Sequence, residues 1–289
     1  MLFAYPSQRL QDWLSQQWCI CTGRRVNPTE ISWLFGPYGN VDIIEDRYVD
    51  VLASQENLEI RKNERGFGLL NSIDDLNLNE LDRNNLRDEI VDFYEKTIDY
   101  EFEIWSQWCQ VFRPFGGLIS RLYSRRLQQL NLPLNPLDTA HGLRSQIYKL
   151  IDPKTNDVKY TIWYRHLKSN EQVIYSGVYS HCKLPNGKTC LKIIFPLPRG
   201  NATVIMDICV TKDGAFQLSS KGTRFGDAGF YFLLKDSRDN HWARYIQSFQ
   251  ESITVYVDNE GVMRADHILT LWGVRTLQIH YKISPIIGR

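Results

Sequence analysis

The most compact set of acid–base side chains in the sequence is the segment Arg264-Ala265-Asp266-His267. Successive side chains of a strand point to opposite faces, so Arg264 and Asp266 would share one face and His267 would take the other. Asp266 is then poorly placed to orient His267, as a catalytic carboxylate–imidazole pair requires. We treat Asp266 and His267 as candidate catalytic residues and Arg264 as a candidate ligand anchor. A structural role for these residues, in a cross-strand salt bridge between an arginine and an aspartate, is the alternative.

A glycine-rich loop at residues 219–230 contains a second pair of charged side chains, Arg224 and Asp227. The loop does not match the phosphate-binding pattern G-x-x-x-x-G-K-[ST], and we expect no helix after it to bind a phosphate at its N-terminus. Binding residues often lie on loops that a rigid sheet supports. Arg224 could therefore bind a ligand at a cavity mouth, with Asp227 as a third catalytic candidate; a purely structural turn is the alternative.

None of the six histidines occurs in a zinc-protease spacing such as H-E-x-x-H. His166 and His181 are in phase with Tyr164 and Tyr179 of their predicted strands. If those two strands pair, we expect the four side chains to share one face. That face is then either a polar cluster inside a cavity or a solvated surface.

The cysteines give a weak metal signal. Cys182 and Cys190 flank the predicted turn Pro185-Asn186-Gly187 and could face each other in a hairpin, beside His181. A tetrahedral zinc site needs four ligands, usually from two close pairs, and ordinary buried cysteines are the alternative. We predict no metal and no cofactor.

The composition excludes some classes of protein. The 289 residues carry a formal net charge of +1, so nothing in the overall charge favours nucleic acid. No stretch approaches 18 apolar residues, and the first residues lack a secretory pattern, so we predict no transmembrane segment and a cytoplasmic location. Aromatic residues make up 12% of the chain, which indicates a large core or an aromatic cavity.

The first 135 residues read as mainly helical. The strongest prediction is one amphipathic helix over residues 80–112, from apolar positions at intervals of three and four residues. A second, basic helix is predicted at about 117–130, and it could touch anionic lipid through its arginines. In the second half of the chain, Trp242, Tyr245, Ile246 and Phe249 recur at intervals typical of a helix. They predict a helical segment at residues 242–249 that interrupts the run of strands.

Residues 144–283 show alternating apolar and polar positions with a turn signal every 8–12 residues, which is typical of an antiparallel meander. We predict an α+β protein: a mainly helical part, residues 1–135, packed on a strongly curved or closed meander of about nine or ten strands in residues 136–289. The two parts form either one continuous domain or two. The likeness to lipocalin-type and helix-grip ligand binders is one of architecture only.

This fold predicts a binding protein for a hydrophobic or amphipathic small molecule held in the sheet. The candidate ligand-binding residues are aromatic or charged: Tyr164, Tyr179, His181, Arg224, Phe230 and Arg264. Tyr160, Tyr175 and Phe232 are further candidates for the lining. Two alternatives stay open: a structural or partner-binding protein with a filled core, and a metal-independent acid–base enzyme acting on such a ligand.

Overall fold

The computed structural model describes residues 3–39, 43–131, 142–168 and 171–286. The predicted boundary at residues 135–136 lies outside them. Helices are confined to the first part of the chain among these residues. They are α1 (Leu10–Thr22), α2 (Arg47–Glu56), α3 (Glu80–Asn85), α4 (Asp88–Glu95), α5 (Arg113–Ile119) and α6 (Arg125–Leu127). A π-helical turn, Ser120–Ser124, joins α5 to α6, so Arg113–Leu127 forms one helical run.

Fourteen strands form a large antiparallel sheet. Three come from the first part of the chain: β1 (Arg24–Val26), β2 (Glu59–Lys62) and β3 (Tyr100–Trp108). The others are β4 (Leu143–Ile151), β5 (Val158–Leu167), β6 (Val173–Lys183), β7 (Thr189–Leu197), β8 (Gly200–Val210), β9 (Phe216–Ser219), β10 (Gly229–Lys235), β11 (His241–Ile246), β12 (Phe249–Val257), β13 (Met263–Leu271) and β14 (Val274–Pro285).

The main path of the sheet runs β2-β4-β5-β6-β7-β8-β9-β12-β13-β14-β3. Strand β8 is the branch point. Residues 200–205 of β8 pair with both β7 and β10, and residues 207–210 pair with β9. Strand β10 then pairs with β11, and β11 with β1. The predicted combination of N-terminal helices with a large antiparallel sheet is confirmed, with eleven strands after residue 142 where nine or ten were expected.

The single helix predicted over residues 80–112 is wrong. The chain forms α3 and α4, a 3-10 turn at Thr97–Asp99, and then strand β3. Every second residue from Tyr100 to Ser106 is buried and those between are exposed, and β3 pairs with β14 along its whole length. The apolar spacing of residues 100–108 fits the period of a helix as well as that of a strand. Pairing with β14, which is distant in sequence, stabilises the strand.

The helical interruption predicted at residues 242–249 is also wrong. Trp242 and Tyr245 lie in β11, and the ladder pairs them with Leu234 and Tyr231 of β10. The turn before β11 is fixed by Asp236, whose carboxylate accepts hydrogen bonds from the backbone nitrogens of Arg238 and Asn240. A tight hairpin turn thus starts a strand where the apolar spacing favoured a helix.

The two faces of the sheet pack against different elements. On one face of β4–β6, Tyr48, Val49 and Leu52 of α2 pack against residues that include Ile162 and Val178. On the other face, a larger cluster joins α4, β3 and ten further strands of the sheet. Strands β4 to β6 are therefore covered on both faces, and the second face is the one that borders the functional site.

Candidate functional site

The second face of the sheet borders a cavity of about 760 Å³. Its walls come from α1, α4, the helical run Arg113–Leu127 and strands β3–β14, and most are apolar. Where the cavity opens, some side chains both line it and remain exposed to solvent: Trp18, Phe115, Ile119 and Trp272. The cavity is therefore an apolar chamber with an apolar rim.

Strand alternation explains which residues of β5 reach the cavity. On β5, Trp163 and Arg165 line it, whereas the residues between and beside them face α2 or the outer surface. On β6, Tyr175 and Tyr179 line it, and Gly177 lies between them, opposite Trp163. A Cβ at Gly177 would lie 3.1 Å from the Phe195 ring, so glycine leaves space for that ring beside Trp163.

Arg165 is the unusual member of the lining, because its residue is only 3% exposed. Its Nη1 donates to the hydroxyl of Tyr175 at 3.3 Å, but Nε and Nη2 are buried without a hydrogen-bond partner. Across the described ranges of the chain, no carboxylate oxygen lies within 4.0 Å of this guanidinium. An arginine keeps its charge in a protein, so the cavity wall carries a buried cation to which the described residues supply no counter-ion.

Aromatic rings surround this cation in place of a carboxylate. The guanidinium carbon lies 4.5 Å from the ring centre of Trp163, 4.8 Å from Phe102 and 5.2 Å from Tyr281. Tyr175 contributes a fourth ring at 5.7 Å. Such ring faces attract a cation but offer no anionic oxygen to its N–H groups.

Burial works to lower the pKa of Arg165, but three neighbouring phenol groups, those of Tyr175, Tyr281 and Tyr179, raise it. Burial raises the pKa of Tyr179 well above its usual value and that of Tyr281 to about 12. Both hydroxyls therefore stay protonated at neutral pH and remain hydrogen-bond donors. Arg165 and these tyrosines, which we call the Arg165 cluster, form a group of donors inside an apolar cavity.

A carboxylate–imidazole pair also lines the cavity. Glu251 of β12 and His267 of β13 meet through Oε2 and Nε2 at 3.1 Å, with both side chains largely buried. The sequence singled out His267 but missed Glu251, because the two strands place them diagonally, with Ile253 directly opposite His267. The sequence offered one indication that His267 belongs to the cavity: alternation along β13 places it on the face opposite to that of Asp266.

Three of the site residues predicted from the sequence line the cavity: Tyr179, Phe230 and His267. Tyr175 and Phe232, two further candidates for the lining, also reach it. The cavity residues that sequence reasoning missed include Arg165 and Glu251. Arg165 lies next to Tyr164 in the sequence, and the choice between them depended on which face of β5 is the cavity face.

The prediction that Tyr164 and Tyr179 share a face is wrong. The register pairs Tyr164 with Ser176 and Thr161 with Tyr179, so the two tyrosines point to opposite faces of the sheet. Tyr164 packs instead with α2 and stacks near Tyr148, with ring centres 6.2 Å apart. His181 lies near the end of β6 and is exposed, and Tyr160 packs at the edge of the α2 cluster.

Arg264 and Asp266 do not pair with each other. Arg264 forms its ion pair with Asp258, at the start of the β12–β13 turn. Asp266 Oδ1 lies 2.8 Å from Nδ1 of His280, and Asp266 Oδ2 accepts a hydrogen bond from Tyr256. The structural alternative, a cross-strand salt bridge between an arginine and an aspartate, fits the pair Arg264–Asp258. Neither Arg264 nor Asp266 is part of the cavity lining.

Asp227 holds the glycine-rich loop together. Its Oδ2 accepts hydrogen bonds from the backbone nitrogens of Thr223 and Arg224, each at 3.1 Å. The Arg224 side chain is exposed and only 3.8 Å from the same carboxyl group. In the structure Asp227 stabilises a turn, and the cavity lining includes neither of the two residues.

The cysteines flanking the β6–β7 turn do face each other, since Cys182 pairs with Cys190 in the ladder. Both thiols are free and buried, and burial raises the pKa of Cys182 to about 11. Over the described ranges, no group of three or more His, Cys, Asp or Glu side chains is arranged to bind a metal. None of the described helices combines the length and apolarity needed to cross a membrane.

Comparison with known proteins gives one informative relative. No protein-family model and no solved structure matches the chain. The chain is 26% identical over 231 residues, 80% of its length, to the uncharacterized membrane protein YndJ of Bacillus subtilis (strain 168). It spans only 40% of the length of that relative. This similarity assigns neither a family nor an activity.

Proposed function

We propose that this protein binds a hydrophobic or amphipathic small molecule in the cavity of a curved sheet. The observation that carries the proposal is the cavity itself: about 760 Å³, with mainly apolar walls and a few convergent polar groups. Ligand sites commonly have volumes of roughly 300–1,000 Å³ and this kind of lining.

Contacts between distant strands support the curvature. Ile104 of β3 and Ile279 of β14 belong to the same buried cluster as Leu143 of β4 and Ile174 of β6. Strands β3 and β14 are at one end of the main path, and β4 is near the other. A sheet that brings these strands together is curved, and its inner face can hold a ligand.

The size of the cavity argues against the alternative of a filled core. A cavity of about 760 Å³ with mainly apolar walls is a space that side chains do not fill. Water would find few hydrogen-bond partners on these walls, so an apolar ligand suits the space better.

The similar protein from Bacillus subtilis is named a membrane protein, and a lipid-like ligand would suit a domain related to part of it. The cytoplasmic location remains a prediction from the sequence, which fractionation of cells expressing the chain would test.

Native mass spectrometry of the purified protein tests the proposal, with a variant that fills the cavity. Ala265 of β13 lines the cavity, so Ala265→Trp should reduce the amount of co-purified ligand. It should also reduce binding of the neutral dye N-phenyl-1-naphthylamine to protein stripped of ligand. Thr254→Trp is the matched control, because Thr254 lies on the neighbouring strand opposite Asp266, away from the cavity. Absence of both a bound molecule and dye binding in the unmodified protein would refute the proposal.

A second candidate function is acid–base catalysis on the bound ligand, and the Glu251–His267 pair favours it. A carboxylate oriented against an imidazole in a water-poor cavity is an arrangement that general-base catalysis uses. The test is to incubate the co-purified molecule with the protein and with His267→Ala, and to compare its mass and chromatographic mobility. A molecule recovered unchanged from both would contradict catalysis and leave binding intact.

A further inference from the structure

We propose that the ligand carries an anionic head group, a carboxylate or a phosphate, which the Arg165 cluster binds inside the cavity. This inference rests on the proposed function, because it needs a ligand in the cavity. It adds the charge, the orientation and the anchoring residue.

The free hydrogen-bond donors of Arg165 are the first observation. Nε and Nη2 lie on one edge of the planar guanidinium, and both are buried without a partner. That edge is the one through which arginine binds both oxygens of a carboxylate or a phosphate. Buried donors normally have acceptors, so an acceptor that belongs to a ligand explains this edge.

The surrounding rings explain how the protein tolerates the charge without a ligand. Phe102, Trp163, Tyr175 and Tyr281 all have ring centres within 5.7 Å of the guanidinium carbon. They stabilise the cation through their faces and leave its hydrogen-bonding edge free. The phenol groups of Tyr179 and Tyr281, which stay protonated, add neutral donors beside the same cation.

The acidic residues of the cavity wall do not compete for Arg165. Glu251 is paired with His267, and Asp12 is paired with Arg126. Both carboxylates therefore already have a cationic or hydrogen-bonding partner. An incoming anion meets Arg165 without a counter-ion to displace.

The position of Arg165 also sets the direction of the ligand. Arg165 is 3% exposed, whereas the rim residues Phe115, Ile119 and Trp272 are exposed. A head group on Arg165 therefore lies deep in the protein, and an apolar tail follows the apolar walls toward the rim. A fatty acid and an alkyl phosphate both have this shape.

Isothermal titration calorimetry of ligand-stripped protein at pH 7.4 tests the inference with three probes of equal tail length. These are dodecanoic acid, dodecyl phosphate and the neutral dodecan-1-ol. We expect at least one anion to bind tenfold or more tightly than the alcohol, which is about 1.4 kcal/mol. The stronger of the two anions identifies the head group.

Two variants test whether Arg165 causes the preference for an anionic probe over the alcohol. Arg165→Met should abolish it without weakening binding of the alcohol, and Arg165→Lys should reduce it, because lysine lacks the two-pronged edge. Arg144→Met is the matched control, since Arg144 is exposed on the neighbouring strand and should leave the preference unchanged.

The possible failures can be told apart. Equal affinity for the alcohol and both anions in the unmodified protein would overturn the inference and leave the proposed function standing, and this comparison needs no variant. A preference that survives Arg165→Met would do the same. If none of the three probes and no neutral dye binds, the proposed function fails together with the inference.

Discussion

Replacing Arg165 by methionine should stabilise the ligand-free protein, although it removes a buried side chain from the centre of the molecule. Burying an ion costs several kcal/mol even after relaxation. On the favourable side, Arg165 has one hydrogen bond from a charged donor, worth about 1.5 kcal/mol at its length of 3.3 Å. Its four ring contacts, of roughly 0.5–2 kcal/mol each, share one charge and do not add in full. Methionine fills similar space without the desolvation cost. We expect the free energy of unfolding to rise by about 1–3 kcal/mol.

Lys192→Met is the matched control, because Lys192 is also a buried cation of the sheet. Its Nζ donates to the backbone oxygens of Trp33 at 3.2 Å and Phe35 at 3.0 Å. Removing it leaves both buried carbonyls without this donor, at about 1.5–3 kcal/mol for each lost charged hydrogen bond. Lys192→Met should therefore destabilise the protein, in contrast to Arg165→Met.

Urea unfolding, followed by circular dichroism and by tryptophan fluorescence, measures both effects. The protein must be stripped of ligand first, because a bound molecule adds its own binding energy to the native state. The slope with urea should stay unchanged, so that the shift in midpoint reports stability alone. A loss of more than about 2 kcal/mol in Arg165→Met would refute the reasoning, since the arginine would then be a structural support of the kind whose removal destabilises.

Two further predictions concern the framework around the cavity. Asp236→Asn should lower stability by about 1.5–3 kcal/mol, the value of a hydrogen bond to a charged group, because its carboxylate accepts bonds from Trp242, Asn240 and Arg238. Burial opposes the charge of Asp236, but these bonds outweigh it and hold its pKa below the usual value. The contribution of Asp236 to the free energy of unfolding should be complete above about pH 4 and disappear as the pH falls through its folded-state pKa. If Asp236→Asn and the unmodified protein lost stability equally in acid, this prediction would be wrong. Gly68→Ala should lower the free energy of unfolding by at least about 1–3 kcal/mol through overpacking, because a Cβ there would lie 2.1 Å from the Glu95 backbone. A Cβ at Gly117 would meet open space, so Gly117→Ala should leave the stability unchanged in the same urea experiment.

The sequence predicted the sheet well because alternation and turn chemistry are local signals. Segments such as residues 158–167 and 274–285 show a period of two, and their ladders follow it. Residues 100–108 failed because apolar spacing there suits both a helix and a strand. Their pairing with β14 depends on residues about 170 positions away, which no local pattern contains.

The candidate site was predicted less well, for a geometric reason. Alternation identifies which residues share a face but not which face borders the cavity. Choosing Tyr164 in place of its neighbour Arg165 therefore selected the wrong side of β5. Glu251 and His267 meet diagonally across two strands, and such a pair becomes visible only when the register is known. Phe230 and Tyr179 were found because large aromatic residues of these strands tend to be interior.

The pairing of β3 with β14 also orders events during synthesis. Strand β3 ends at Trp108 and β14 ends at Pro285, so at roughly 5–20 residues per second the ribosome needs about 10–35 s to supply the partner. During that interval β3 is an unpaired edge, which is open to wrong pairing. Glu101 and Glu103 on its exposed face are charges of the kind that discourage such pairing. Because Phe102 and Ile104 of β3 line the cavity, the chamber is completed only when the last strand arrives.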